Sequence, residues 1–279
     1  MIVKRVLLKA NSFLNILKIF NFYIKSLFLH SFFCYNDVRK WIRMRELFDK
    51  LYNKDVQSFY KIIEKNLNNN KKMFIVTANP ETFMISENDN EMRKLLLDKE
   101  TTLVPDGIGI VKAARSIGYD VVERITGIDI ANKLLKLGDE ENKTIYLFGA
   151  KEEVIVSMKE TLKTQYPNLK IVGAKDGYVK DRDKIFEDII KKAPDIILVA
   201  LGIPYQEKLI YKHLDKFNRG IFVGVGGSFD VISGHKKRAP KLFIKLNLEW
   251  LYRIMKEPSR LKRFYDSNIK FLFKVKKYK

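Results

Sequence analysis

Six short apolar runs, each followed by a helix-like stretch, constrain this chain more than any other feature. They are MFIVTA (73–78), TTLVP (101–105), TIYLFG (144–149), LKIVGA (169–174), DIILVAL (195–201) and GIFVGVG (220–226). Most are continuously apolar, as strands covered on both faces must be. Helical patterns fill the gaps near 55–68, 108–117, 127–137, 152–165, 182–192 and 205–217. Strand–helix–strand alternation predicts parallel pairing through right-handed crossovers. The expected fold is therefore α/β, a Rossmann-like, mainly parallel sheet with helices on both faces. Ligands of such sheets bind beyond the carboxyl ends of the strands, so those ends are where chemistry is sought.

Charge divides the chain differently. Of a net charge of +20, residues 1–48 carry +7, residues 236–279 carry +12, and the middle is almost neutral. After residue 238 no strand pattern remains, and Pro258 interrupts a helical one. This predicts an apolar and basic extension (1–46), a Rossmann-like domain (47–235) and a basic helical appendage (236–279). Apolar residues interleave the charges at helical spacing, which suits an anionic membrane surface. A basic nucleic-acid-binding protein is the competing reading of the charge, and a solvated face kept for solubility is the plainest one.

Residues 13–35 are strongly apolar, but Lys18 and Lys25 interrupt them. No run reaches the roughly 18 uncharged residues of a spanning helix. No small-residue cleavage site follows, which argues against a signal peptide. Asn15, Lys18 and Lys25 fall near one helical face, as in a helix lying in the interface; alternatively, Met44 opens a more ordinary start. The single cysteine, Cys34, excludes an intrachain disulfide or a cysteine metal cluster.

The strand ends carry the candidate residues. TANPE (77–81) places Thr77 and Asn79 after the first strand, with Pro80 suited to a first helical turn and Asn79 to its cap. VPDG (104–107) places Asp106 after the second; Pro-Asp-Gly is ordinary turn chemistry, but a carboxylate there also faces the ligand crevice. ALGIPYQEK (200–208) and GVGGSFD (224–230) follow the fifth and sixth. Gly224, Gly226 and Gly227 let backbone amides approach a phosphate or ribose, and Asp230 suits sugar hydroxyls; a tight turn with a helix cap explains them equally. The spacing is not that of a dinucleotide fingerprint. DRD (181–183) mimics a metal-binding Asp-x-Asp, yet it precedes a helix and reads better as a cap at Asp181. His30, His213 and His235 are too scattered for a metal. Arg253, Arg260 and Arg263 would share one face of a continuous helix, subject to the break at Pro258.

Taken in order, TANPE, LVPDGIGIV, ERITGIDI, YLFGA, DIILVALGIPYQEK, GVGGSFDVISGHKKRAP and LEWLYRIMKEPSRLKRF resemble the WecG/TagA/CpsF family of bacterial glycosyltransferases, over about residues 47–265. The resemblance implies an inverting, metal-independent transfer of an N-acetylhexosamine, usually of the N-acetylmannosamine type. The donor is a UDP-sugar and the acceptor a polyprenyl-diphosphate-linked GlcNAc. No cofactor is expected. The products feed teichoic acid, common antigen or capsule. The implied location is peripheral, on the cytoplasmic face of the membrane, and the resemblance leaves a homo-oligomer open; no nucleic-acid partner is implied.

Carried over by motif, Asp106 is the general base, and Thr77, Asn79 and Gln206 line the sugar and acceptor pocket. Gly149, Gly202, Gly226, Gly227 and Asp230 surround the nucleotide. Arg253, Arg260 and Arg263 close over the site and hold diphosphate. Ala78 and His235 stand where proline or valine, and lysine, are frequent, which leaves sugar specificity open. A non-catalytic scaffold on this fold is the remaining alternative, and the retention of Asp106, Thr77 and Gln206 speaks against it.

Overall fold

A computed structural model describes residues 38–277; the predicted N-terminal extension lies almost wholly outside the described residues. The chain divides into units 1–45 and 46–279, and every element below belongs to the second.

All six apolar runs form strands: β1 (Lys72–Ala78), β2 (Thr101–Pro105), β3 (Thr144–Gly149), β4 (Lys170–Lys175), β5 (Ile196–Ala200) and β6 (Gly220–Gly224). They make one parallel sheet in the order β2-β1-β6-β5-β3-β4. The four inner strands are buried, as continuous hydrophobicity requires, whereas the edge strand β4 stays half exposed. β5 continues into β6 on one side and β3 into β4 on the other. The paths diverge at the β3–β5 pair, so a crevice opens at their carboxyl ends.

Each sheet face is covered by helices presenting one apolar stripe. On one face lie α1 (Val56–Asn68), α5 (Gly127–Glu140) and α6 (Glu152–Gln165), where Phe59, Leu134 and Met158 meet Ile75, Leu147 and Val223. The other face takes α2 (Pro80–Asn88), α3 (Asn90–Leu97), α7 (Arg182–Lys192) and α8 (Tyr205–His213). Its packing is aromatic: Phe148 meets Phe186 edge-on, and Phe83 contacts Phe48 and Phe271. The α2–α3 pair was absent from the helical patterns read in the sequence; a weak apolar stripe on α2 accounts for that.

Helix α4 (Ile108–Ser116) follows β2, and the short α9 (Ser228–Ile232) follows β6. The basic C-terminal region is helical as expected: α10 (Lys241–Lys245), α11 (Glu249–Lys256), α12 (Arg260–Phe264), a π-helical turn (Tyr265–Ile269) and α13 (Lys270–Lys277). Phe271 and Val275 of α13 are buried, and the helix packs on α2 and α4. Residues 257–259 break the helix around Pro258, so the three arginines do not share one continuous face.

Candidate active site

The carboxyl ends of β1, β2, β5 and β6 converge on a small set of polar groups. Asp106 leaves β2 with its N–H donating to the Ala78 carbonyl at 2.8 Å, so the turn is locked to the end of β1. Gly107 follows with φ +91°, a conformation that glycine adopts without strain. The next segment comes back over this turn: the Ile125 N–H donates to the Pro105 carbonyl at 2.8 Å. That pairing places the start of α5 above Asp106, and the Gly127 N–H donates to the Asp106 carboxylate. The aspartate thus sits at a helix N-terminus, where aligned dipoles favour negative charge.

Burial nevertheless dominates and pushes the Asp106 carboxyl up to about 6. Arg253, the Gly127 amide and Arg124 pull it down, while Glu249 raises it. These charges form one network. Buried Glu249 accepts from Arg253 at 2.9 Å and lies 3.6 Å from Arg124. A carboxyl poised near neutrality, partly open to solvent and braced by two arginines, is suited to general-base work.

Thr77 is buried at the end of β1; a Cβ on Gly127 would lie 3.5 Å from its hydroxyl oxygen, in ordinary van der Waals contact. Asn79 caps α2: its side chain accepts from the Thr82 N–H at 3.0 Å, and the Thr82 hydroxyl accepts from the Asn79 N–H at 3.2 Å. The cap engages its oxygen and leaves its amide NH₂ at the crest.

Gln206 is buried and makes three hydrogen bonds within the protein. Its Oε1 accepts from the Gly202 and Gly226 N–H groups, both at 3.1 Å, and its Nε2 donates to Glu207 Oε1 at 2.7 Å. A Cβ on Gly224 would meet Nε2 at 2.6 Å, which is why glycine stands there. Instead of lining a pocket with a free amide, Gln206 ties the β5 crest to the β6 crest.

On the β3–β5 side, Gly149 (φ +125°) lets the strands close up: a Cβ there would lie 2.4 Å from the Ala200 carbonyl. Gly202 and Gly226 also have positive φ, whereas Gly227 does not and is exposed. Asp230 lies near Gly227 and 4.0 Å from Lys236. Two exposed aromatics that sequence reasoning passed over, Tyr178 and Tyr205, flank this crevice, with Arg182 lying over the Tyr205 ring.

Of the three tail arginines, the fold brings Arg253 into the electrostatic surroundings of Asp106. Arg260 pairs with Glu257, which also holds Lys236. Arg263 grips Glu81 of α2 through two bonds of 2.8 and 2.9 Å. A cleft of about 500 Å³ opens beside this bridge, with Met84, Ile85 and Ser267 in its wall; Asp106 is not part of it. The DRD carboxylates are occupied: Asp181 caps α7, and Asp183 pairs with Lys212 and His213.

Known proteins match this chain in sequence. The family model of the WecG/TagA/CpsF glycosyl transferases covers residues 47–279. The chain belongs to that family. It is 40% identical to an N-acetylglucosaminyldiphosphoundecaprenol N-acetyl-beta-D-mannosaminyltransferase of Bacillus spizizenii over 210 residues, 75% of this chain and 81% of the relative. A protein of the same name from Staphylococcus aureus is 35% identical over 211 residues, 74% and 81% of the two chains. The glycosyltransferase carries Asp106, Thr77, Asn79 and Gln206 at the sheet crests. The transferase also engages residues that sequence reasoning missed, namely Arg124, Glu207 and Glu249. All three lie inside quoted motifs, and the four-residue spacing of Glu249 and Arg253 was the one local signal of their pairing.

Proposed function

We propose that this glycosyltransferase moves an N-acetylmannosamine-type sugar from a UDP-sugar to a polyprenyl-diphosphate-linked GlcNAc, with inversion, at a membrane surface. The observation that carries the reading is Asp106, held at the amino end of α5 with its carboxyl pushed up to about 6, in a chain so similar to transferases of that name. The acceptor hydroxyl forms its bond to the anomeric carbon on the face opposite UDP while its proton passes to Asp106. The bond from the anomeric carbon to UDP breaks, and the leaving diphosphate gathers negative charge. Arg253 and the Gly227 amide are the groups that would meet it, without a metal. Support for that last point is that both DRD carboxylates have partners within the protein. Tyr178, 76% exposed beside the crevice, offers a flat face for the base.

Membrane contact falls to α10–α13. Leu242, Leu246, Met255, Leu261 and Phe273 are exposed among lysines and arginines. No described helix is long and apolar enough to cross a membrane. An exposed apolar stripe with a basic flank suits the interface instead.

The decisive assay incubates the full chain with synthetic prenyl-diphosphate GlcNAc and a panel of UDP-sugars, and reads products by mass. Gain of one N-acetylhexosamine on the acceptor is expected, and is expected to vanish in Asp106→Asn. Full turnover by a folded Asp106→Asn chain would remove the aspartate as base.

A further inference from the structure

Glu207 is a buried carboxyl for which the transfer chemistry has no role. It lies in the first turn of α8, only 2% exposed. One oxygen accepts from Gln206 Nε2 at 2.7 Å; the other is buried without a hydrogen-bond partner among the described residues. Burial pushes the group up to about 7, with Glu81 adding to the rise. Leaving a carboxyl oxygen buried and unsatisfied costs stability, so its retention calls for another benefit.

The bond to Gln206 supplies one. A glutamine amide has two chemically different ends, and here both are read. The oxygen end takes the Gly202 and Gly226 N–H groups, one from each crest. Flipped by 180°, the NH₂ would face those two donors and both bonds would be lost. Glu207 Oε1 is the further acceptor that favours the unflipped state, and it still accepts when the proton of the neutral acid sits on Oε2. Gly224 allows no side chain that would wedge the amide in place by sterics alone.

We propose that Glu207 is a positioning residue: by fixing the orientation of the Gln206 amide it holds the Gly202 and Gly226 crests at the spacing that receives the donor's diphosphate. The assignment rests on the UDP-sugar reading above. The unsatisfied oxygen makes the prediction unusual, because an apolar replacement removes a cost in stability while it removes the tie.

The test compares the full chain with Glu207→Gln, Glu207→Met and Glu207→Asp. It uses three readouts: melting temperature, UDP affinity by calorimetry, and exchange of the Gly202 and Gly226 amide protons by NMR. Glu207→Gln retains a carbonyl at the same reach and should bind UDP within about threefold of the parent. Glu207→Met should melt no lower than the parent, yet bind UDP roughly tenfold more weakly and exchange both amides at least about tenfold faster, the effect of losing one anchoring bond. Glu207→Asp is one methylene too short to reach Nε2 and should follow Glu207→Met, which keeps the question open to refutation if the apolar variant does not fold. Parental UDP affinity and amide protection in folded Glu207→Met or Glu207→Asp would overturn the assignment alone. Failure of the unsubstituted chain to bind UDP would overturn the donor reading and this assignment with it.

Discussion

At the crests of the sheet, polar side chains point inward and bond to one another; along α10–α12, several apolar side chains lie exposed on the outside. Gln206 makes three hydrogen bonds within the crest, and Asp106 is held by the Gly127 amide and a charged network. Leu242, Leu246 and Met255 are each more than half exposed. The crest is built to hold geometry before any ligand arrives, which is what stabilising a transition state requires. The outer helices present a basic surface with exposed apolar side chains, the kind of surface the proposed membrane contact would cover. Arg253 belongs to both: it lies on an outer helix and acts on the crest.

That contrast breaks most sharply at Asp106. Asp106→Asn should lower kcat by about 10²–10⁴-fold, as loss of a general base does, while the melting temperature is kept or raised. A large loss of both would mean that the aspartate is chiefly architectural. Arg253→Ala should lower kcat by about 10–10³-fold and leave vesicle binding nearly intact, placing the residue with the crest rather than the surface.

The pH profile separates the charges further. Activity should fall as pH drops through about 6, where Asp106 takes up its proton. Arg253→Ala should move that limb upward, because a neighbouring positive charge is removed, and Glu249→Gln should move it downward. Stability has the opposite sense. Asp106 and Glu207 both bind protons more tightly when folded, so their contribution is greatest at low pH and is lost as pH rises through about 6 and about 7. Chemical denaturation across that range, with Glu207→Gln flattening its part, checks the sign.

On the outer helices, Leu246→Ser with Met255→Ser should weaken binding to anionic vesicles by about tenfold or more, given the apolar area involved, and added salt should weaken it further. Turnover on a short-chain, soluble acceptor should change little. The smallest effect is expected at Asn79. Asn79→Ala should cost about 1 kcal/mol of stability by loss of the α2 cap; a loss of turnover beyond the fraction unfolded would show that its free amide also touches substrate.

Much of the sheet was legible because its signal is local. Most of the six apolar runs read as covered strands, β4 proving a half-exposed edge, and Pro80, Asp181 and Pro258 marked helix limits by their own backbone chemistry. Asp106 stood out by position, after a strand and before a glycine. Other residues were legible in kind but not in role. Gln206 was expected in the pocket, yet its partners Gly202 and Gly226 sit on two different crests and only chain crossing brings them to one amide oxygen. The spacing of Arg253, Arg260 and Arg263 promised a shared face, and the break at Pro258 dispersed it: one arginine serves the aspartate, one Glu257 and one Glu81.

The sequence by itself determined the element types, the parallel sheet, the family and the placing of the candidate residues at strand ends. Periodicity, turn chemistry and motif order are properties of neighbouring residues. Only the tertiary structure decided the strand order, the pairing of Glu249 with Arg124, the locking of Gln206, and the carboxyl of Asp106 raised into the range where it can take a proton. These depend on which groups are brought together across many residues of chain and on how much water is removed around them, and neither distance nor desolvation is written locally.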